Sequence, residues 1–272
     1  MTAYSAPLLL VGGGKMGGAL LAGWLKRGLN PDDAFVVDPG VEAADFAAKL
    51  GVRAVANATM IPSGLKPKVI VLAIKPQLVH DVLPAYAKYS ASACFLSIAA
   101  GKTIASLQKH LGASAPVVRA MPNTPAAVGR GISGVVASAS VSAADRQACG
   151  ELLNAVGEVV WLDDEAEMDA VTAVSGSGPA YVFLLIEALA AAGVAAGLSA
   201  EVAGKLARAT VCGAGELAWQ AAEPAGQLRR NVTSPNGTTQ AALEVLMAAD
   251  GLEPLLTRAV AAAARRSREL AN

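Results

Sequence analysis

The stretch that most constrains this chain is Leu8-Leu9-Leu10-Val11-Gly12-Gly13-Gly14-Lys15-Met16-Gly17-Gly18. An apolar segment passes through glycines into an amphipathic run (Ala19, Leu20, Leu21, Trp24, Leu25), which is the order strand, tight turn, helix. Gly12, Gly14 and Gly17 fit the spacing G-x-G-x-x-G, and each glycine has a physical task in a dinucleotide site. The first permits a tight turn, the second lets backbone approach a pyrophosphate, and the third lets helix and strand pack closely. Amides at the start of the helix then face the anion. A P-loop fits poorly, because Met16 follows Gly14-Lys15 where a magnesium-binding hydroxyl belongs.

Such a unit occupies only part of 272 residues, so two domains are expected. Hydrophobic residues make up 54% of the chain and aromatics 4%, which implies a core of Ala, Val and Leu with closely approaching helices. Acidic and basic residues balance at 22 each, so nothing attracts nucleic acid or an anionic membrane over long range. Arg265, Arg266 and Arg268 read as the basic end of a C-terminal helix. Cys94, Cys149 and Cys212 are widely separated, lack metal-ligand spacing and suit a reducing compartment. No apolar run approaches the ~18 residues of a membrane span, and no basic region precedes the first apolar stretch as in a signal peptide. A cytoplasmic enzyme with no membrane or nucleic-acid partner and no bound metal is expected.

Ala34 to Asp38 reads as a second strand ending in an acid. Asp38 lies about 20 residues beyond the glycines, where a carboxylate accepts hydrogen bonds from the adenosine ribose; it also suits a surface acid opening the Asp38-Pro39-Gly40 turn. Glu42 to Leu50 is helical, with Gly51 as its stop, and Val52 to Val55 is a short strand followed by Asn57. Val69 to Ala73 is a continuous apolar run, as in a parallel strand covered on both faces. It leads into Ile74-Lys75-Pro76-Gln77 at a strand end, where open α/β sheets bind ligands; Lys75 there is a candidate cation or a solvated loop lysine. Cys94 to Ile98 ends in Ala99-Ala100-Gly101, small residues against which a flat ring can lie. Val117 to Ala120 runs into the proline-stiffened Met121-Pro122-Asn123-Thr124-Pro125. Ile132 to Ala137, a helix from Ala143 to Val156, and Val159-Val160-Trp161 complete a first domain, residues 1–163.

After Asp163-Asp164-Glu165, an acidic run that suits a solvated loop or an acid-base pair, the β-branched runs disappear. Residues 164–272 read as all-helical: a helix started by Ser175-Gly176-Ser177-Gly178-Pro179, with Ser177 or Gly178 as cap, then helices from about Ala200 to Ala222, Thr238 to Ala249 and Leu255 to Leu270. This part is too apolar to stand alone comfortably, which argues for association. Asn231-Val232-Thr233-Ser234-Pro235-Asn236-Gly237-Thr238-Thr239 gathers hydroxyls, amides and a turn dipeptide before a helix, a good site for a small carboxylate. A capped loop without function has the same pattern. Neither His80 nor His110 lies in a motif that supports nucleophilic catalysis.

Taken together, Gly12 to Gly17, Ala73 to Pro76, Ser97 to Gly101, Arg119 to Pro125, Ser175 to Tyr181 and Val232 to Thr239 resemble the pyrroline-5-carboxylate reductases, in the same order and over nearly the whole chain. The resemblance implies a Rossmann-like N-terminal domain, an all-α substrate-binding and dimerisation domain, and reduction of a cyclic imine to L-proline by NADPH or NADH. It places the cofactor against Gly12, Gly13, Gly14, Lys15, Met16, Asn57, Ala73, Ile74, Lys75, Pro76, Ala99 and Ala100, with Asp38 at the ribose. It places the substrate against Ser234, Gly237, Thr238 and Thr239, with Glu165 and Asn231 nearby. Thr239 and Ser234 are the catalytic candidates, and helices of a second copy complete the pocket.

Two departures from the family pattern matter. Asn236 stands where many members have glycine, and asparagine tolerates positive φ better than most residues. Asp38 would repel a 2′-phosphate, so NADH is expected to serve at least as well as NADPH. A β-hydroxyacid-dehydrogenase-type reductase is the nearest rival, but it needs a lysine on the segment Pro179 to Gly193, which has none. A cofactor-binding protein without turnover would have no need of Ser234, Thr238 and Thr239.

Overall fold

The computed structural model describes residues 7–271; residues 1–6 and 272, at the ends of the two expected domains, lie outside the described residues. The chain divides into two compact units, Met1–Gly176 with Ala264–Asn272, and Ser177–Ala263. The first contains β1 (Leu8–Val11), α1 (Lys15–Lys26), β2 (Ala34–Val37), α2 (Val41–Lys49), β3 (Arg53–Val55), β4 (Val69–Leu72), α3 (Val79–Val82), β5 (Cys94–Ser97), α4 (Ile104–Leu111), β6 (Val117–Met121), β7 (Gly131–Ala137), α5 (Ala143–Asn154), β8 (Gly157–Trp161) and α6 (Met168–Val171). The second is helical: α7 (Gly178–Ala195), α8 (Ala200–Gln220), α9 (Ala225–Asn231), α10 (Thr238–Leu246) and most of α11 (Leu252–Ala271).

The strands form one sheet in the order β3-β2-β1-β4-β5-β6-β7-β8. Neighbours are parallel except β6 and β7, so the last two strands run against the first six. β1 lies between β2 and β4, and the strand order reverses there. Alternation along β1 divides the core. Leu8 and Leu10 join Leu20, Leu21, Trp24 and Leu152 on one face; Leu9 and Val11 join Tyr86, Leu107 and Leu111 on the other. Each such side chain contributes roughly 1.5–3 kcal/mol on burial. The Trp24 indole also donates to the Leu152 carbonyl at 2.9 Å, so its one polar atom is satisfied inside the core.

The glycine turn is a close crossing of backbone. Gly12 has φ +97°, and a Cβ there would strike the Ala73 carbonyl at the end of β4. A Cβ at Gly17 would strike the Gly12 carbonyl. The first turn of α1 therefore sits against the strand end with no room for a side chain between them.

Three expectations need correction. Ser177 does not cap a helix: its backbone is helical (φ −87°, ψ −21°), its side chain makes no cap, and α7 continues from a π-turn over Thr172–Gly176. Glu165–Ala195 is one helical stretch of 31 residues that contains an 18-residue window of mean hydropathy 1.7, long and apolar enough to cross a membrane by length and composition. The expectation of no such run fails by that measure. The third concerns the segment between the helices expected from about Ala200 to Ala222 and from Thr238 to Ala249: it holds a further helix, α9, with Pro224 as its N-cap residue.

The compact units also divide later than residue 163. Asn123 Nδ2 reaches Ser175 Oγ at 3.3 Å, Ser267 Oγ pairs with Asp169 Oδ1 at 2.6 Å, and Val171 packs on Gly134, all within the first unit. Residues distant in sequence also meet there. The His80 and His110 rings lie edge to face, 5.2 Å apart. Cys94 and Cys149 are buried with their sulfurs 3.9 Å apart; the bond to Cys94 and burial both push the Cys149 thiol well above its usual range.

Gly17→Ala is expected to destabilise the protein by about 1–3 kcal/mol through overpacking, seen as a lower urea midpoint at unchanged m-value. Alkylation with iodoacetamide at neutral pH should leave Cys94 and Cys149 unmodified in the folded protein and modify both in guanidinium, as read by peptide mass spectrometry.

Candidate active site

In the first unit, two adjoining cavities lie at the ends of the strands. The larger, about 760 Å³, is lined by Gly12, Gly14, Asp38, Asn57, Ala73, Ile74 and Lys75 among others. The smaller, about 540 Å³, lies between α1 and α2 and is lined by Gly13, Gly14, Lys15 and Asp38, with Glu42 and Phe46. Both sit where β1 parts from its two neighbours, the place at which an open α/β sheet takes a ligand. Four of the expected cofactor residues line neither cavity. Met16 packs on the core, Pro76 opens a 3-10 turn, and Ala99 (buried) and Ala100 (exposed) lie on the loop after β5.

The residues fit a dinucleotide. A Cβ at Gly14 would meet nothing within 4 Å, so the cradle is open there, and no side chain caps α1. The first amides of a helix have no intrahelical acceptor, which leaves those of α1 to face an anion. Asp38 ends β2 with both carboxylate oxygens engaged: Oδ2 accepts from Gly13 N at 2.6 Å and Oδ1 from Gly40 N at 2.7 Å. It thus anchors the glycine turn as well as facing the cavity. Acids Asp38, Glu42 and Asp81 and cations Lys15 and Lys75 line the two cavities, and no arginine does.

Sequence reasoning missed several lining residues. Thr59 donates from both its amide (3.1 Å) and its hydroxyl (2.6 Å) to Asn57 Oδ1; the Asn57-Ala58-Thr59 turn chemistry was a readable signal. Tyr86 lines the larger cavity from α3's continuation, and burial, with Tyr89 beside it, raises its phenol well above the usual range, so it stays neutral. No local pattern marked Tyr86 or Phe46.

Buried Arg119 and half-buried Glu165 form an ion pair in the first unit. Arg119 Nη1 donates to Glu165 Oε1 at 2.7 Å, and the same oxygen accepts from Ile104 N at 2.8 Å. An arginine inside Val117-Val118-Arg119-Ala120 required a buried partner, and that signal went unread.

In the second unit, Asn231 ends α9 and Ser234, Gly237, Thr238 and Thr239 surround the start of α10. Asn236 has φ 58°, the left-handed conformation that its amide side chain tolerates. Its amide donates to Gln240 Oε1 at 2.8 Å, while Gly237 N donates to Ser234 O at 3.1 Å. Gly237 is the N-cap residue, and no side chain caps α10. The helix thus presents free first-turn amides flanked by the Thr238 and Thr239 hydroxyls. Asn231 is engaged instead with Gln227, whose Nε2 donates to Asn231 Oδ1 at 2.7 Å. Among the described residues, no three His, Cys, Asp or Glu side chains gather as metal ligands.

Known proteins resemble this chain along its whole length. A family model described as pyrroline-5-carboxylate reductase dimerisation matches residues 165–270, and one described as NADP oxidoreductase, coenzyme F420-dependent, matches residues 8–101. The pyrroline-5-carboxylate reductase of Pseudomonas aeruginosa is 45% identical over 267 residues, covering 97% of this chain and 96% of its own. The solved pyrroline-5-carboxylate reductase of Coxiella burnetii superposes with a TM-score of 0.92 at 34% identity, covering 98% and 99% of the two chains. The pyrroline carboxylate reductase of Plasmodium falciparum, solved with NADP bound, gives 0.81 at 29% identity, covering 99% of each. Matched at 34–45% identity over nearly its full length by these bacterial relatives, the chain belongs to the pyrroline-5-carboxylate reductase family.

Proposed function

We propose that this chain reduces 1-pyrroline-5-carboxylate to L-proline, the last step of proline biosynthesis, with residues 1–163 holding the nicotinamide dinucleotide and residues 164–272 holding the substrate and the subunit contact. The observation that carries the substrate half is the start of α10: an uncapped helix terminus, two threonine hydroxyls, and a loop bent by Asn236 in the left-handed region. The end of β8 at Trp161 and the dimerisation match from residue 165 support the functional division.

The chemistry asks little of a general acid. An imine nitrogen is far more basic than a carbonyl oxygen, so the protonated C=N already attracts hydride at C5. When bound, the reduced nicotinamide supplies that hydride. The chain's own residues bind and orient. The first-turn amides at Gly237 and Thr238 hold the substrate carboxylate, Ser234 steadies the loop side of the pocket, and the Thr239 hydroxyl bonds the ring nitrogen as it becomes an amine. Fixing the ring in place is the proximity contribution. Gly12 to Met16, Asn57, Ala73 to Pro76 and Ala99-Ala100 hold the dinucleotide, with Asp38 at the adenosine ribose.

Asp38 and Glu42 bring two carboxylates to the cavity wall and Lys15 the single cation there. That balance supports NADH as a coenzyme used at least as well as NADPH. On α7, Val182, Phe183, Leu184 and Leu185 are 45–62% exposed within the single chain. Such a contiguous apolar surface supports association with a second copy through the helical domain, in a cytoplasmic homo-oligomer. Asn231, at the end of α9, and Glu165 complete the substrate side of the proposal near Ser234.

Two measurements test this reading. With pyrroline-5-carboxylate, and a 2-keto acid as control, kcat/KM for NADH should equal or exceed that for NADPH; a strong NADPH preference refutes the role given to Asp38. Thr239→Ala should lower kcat/KM by on the order of 10² with the fold intact, and an unchanged value removes Thr239 from the chemistry.

A further inference from the structure

His80 and His110 are the chain's two histidines, and the fold brings them together although they lie far apart in sequence. His80 stands on α3, which follows β4, and His110 in the last turn of α4, which follows β5. Each is fixed by buried neighbours. Val79 and Leu83 beside His80, and Leu107 and Leu111 beside His110, pack into one core cluster on the same face of the sheet. Ser90, at the end of the 3-10 segment that continues α3, donates from its Oγ to the Leu111 carbonyl at 2.5 Å. His80 is exposed and His110 half-buried, so the pair has a rigid base and opens to solvent.

The ring centroids lie 5.2 Å apart with their planes inclined at 69°. An imidazole nitrogen binds zinc at about 2.0–2.1 Å, which puts the metal about 3.2 Å from the ring centre. Two such rings around one tetrahedral ion have centres about 5.2 Å apart. The separation in this fold therefore suits a cation shared by both rings, with water in its other positions. Imidazole is a ligand for zinc, nickel and copper and a poor one for magnesium or calcium, which take oxygen. The carbonyl end of α4, where His110 lies, adds a favourable potential for a cation. Asp81 follows His80 with a carboxylate, and Lys109 precedes His110 with an opposing ammonium.

We propose that His80 and His110 form a site for a divalent cation of the zinc, nickel and copper class, which clamps α3 to α4. The clamp bears on the larger cavity, since Leu78, Asp81 and Val82 around His80 line its wall. The site goes beyond the reductase reading and does not depend on it.

The test uses the full-length protein, freed of metal with a chelator and titrated with zinc chloride against a metal-indicator dye. One equivalent should bind with a Kd on the order of 10 µM, and magnesium in about hundredfold excess should not compete. His80→Ala and His110→Ala should each raise that Kd about tenfold or more. With copper in place of zinc, electron paramagnetic resonance should show nitrogen coupling from both imidazoles in the unaltered protein and from one in either variant. Zinc at about ten times its Kd should raise the urea midpoint of the unaltered protein. It should also slow amide hydrogen exchange about threefold or more in peptides covering residues 79–89 and 104–111, with neither change in His80→Ala. Zinc binding of equal strength in both variants overturns the proposal, and its loss in Cys212→Ser instead assigns the metal to that exposed thiol. Absence of binding below about 1 mM zinc also overturns it and leaves the rings as an edge-to-face contact alone. If His110→Ala does not fold, His80→Ala and His80→Gln, at the exposed position, decide by the same measurements. Lack of imine reduction by the unaltered protein would refute the reductase reading and leave the zinc titration to judge this one.

Discussion

The candidate site depends on how closely three pieces of backbone meet at Gly12. The end of β1, the first turn of α1 and the carbonyl of Ala73 at the end of β4 touch with no side chain between them. Main-chain atoms are the least adaptable part of a protein, so this contact sets the height of the helix start above the sheet and the width of the cavity beside it. Strands buried on both faces supply the rigidity: every residue of β1 and β4 is buried, and their side chains leave no slack in which the turn could shift. The cradle is therefore a property of the sheet's packing, and the glycines are its precondition.

From that point the sheet delivers different materials along its ligand-facing edge. β2 ends in a carboxylate, β4 in the small and basic Ala73-Ile74-Lys75, and β5 in alanines. The helical unit follows another principle. Its helices keep few apolar residues inside the single chain: Ala203 and Ala207 on α8 are buried, while the larger residues of α7 remain exposed. A core of alanines brings helices close but removes little area from water, so such a unit needs a further surface to cover its leucines and phenylalanine. Membership of a family with a dimerisation region accords with that need.

Where local chemistry decides structure, the sequence was readable. β1, β2 and β4 follow from continuous apolar runs, Gly51 ends α2 at φ 74° as a left-handed stop, and Asn236 adopts the positive φ that its position implied. The site loops were legible for the same reason, since turns and helix starts are written in neighbouring residues. What escaped was set by distance. The pairing of Arg119 with Glu165, the contact of Cys94 with Cys149 and the meeting of His80 with His110 join residues far apart in the chain. Ser177 misled because a serine before Gly-Pro is a good cap only where a helix begins, and here a π-turn carries the helix through it. Tyr86 entered the cavity wall by packing alone, which no short pattern reports.

Asp38 joins two tasks that are usually separable. Its carboxylate faces the cavity, and the same two oxygens hold the amides of Gly13 and Gly40. A residue chosen there to welcome a phosphate would leave the glycine turn and the start of α2 short of acceptors. Coenzyme choice in this chain is thereby entangled with the stability of the turn that binds every dinucleotide. Replacing the carboxylate would remove two acceptors from the backbone at the same stroke as it changed what the cavity wall presents, so a single substitution there acts on the turn and on the ligand together.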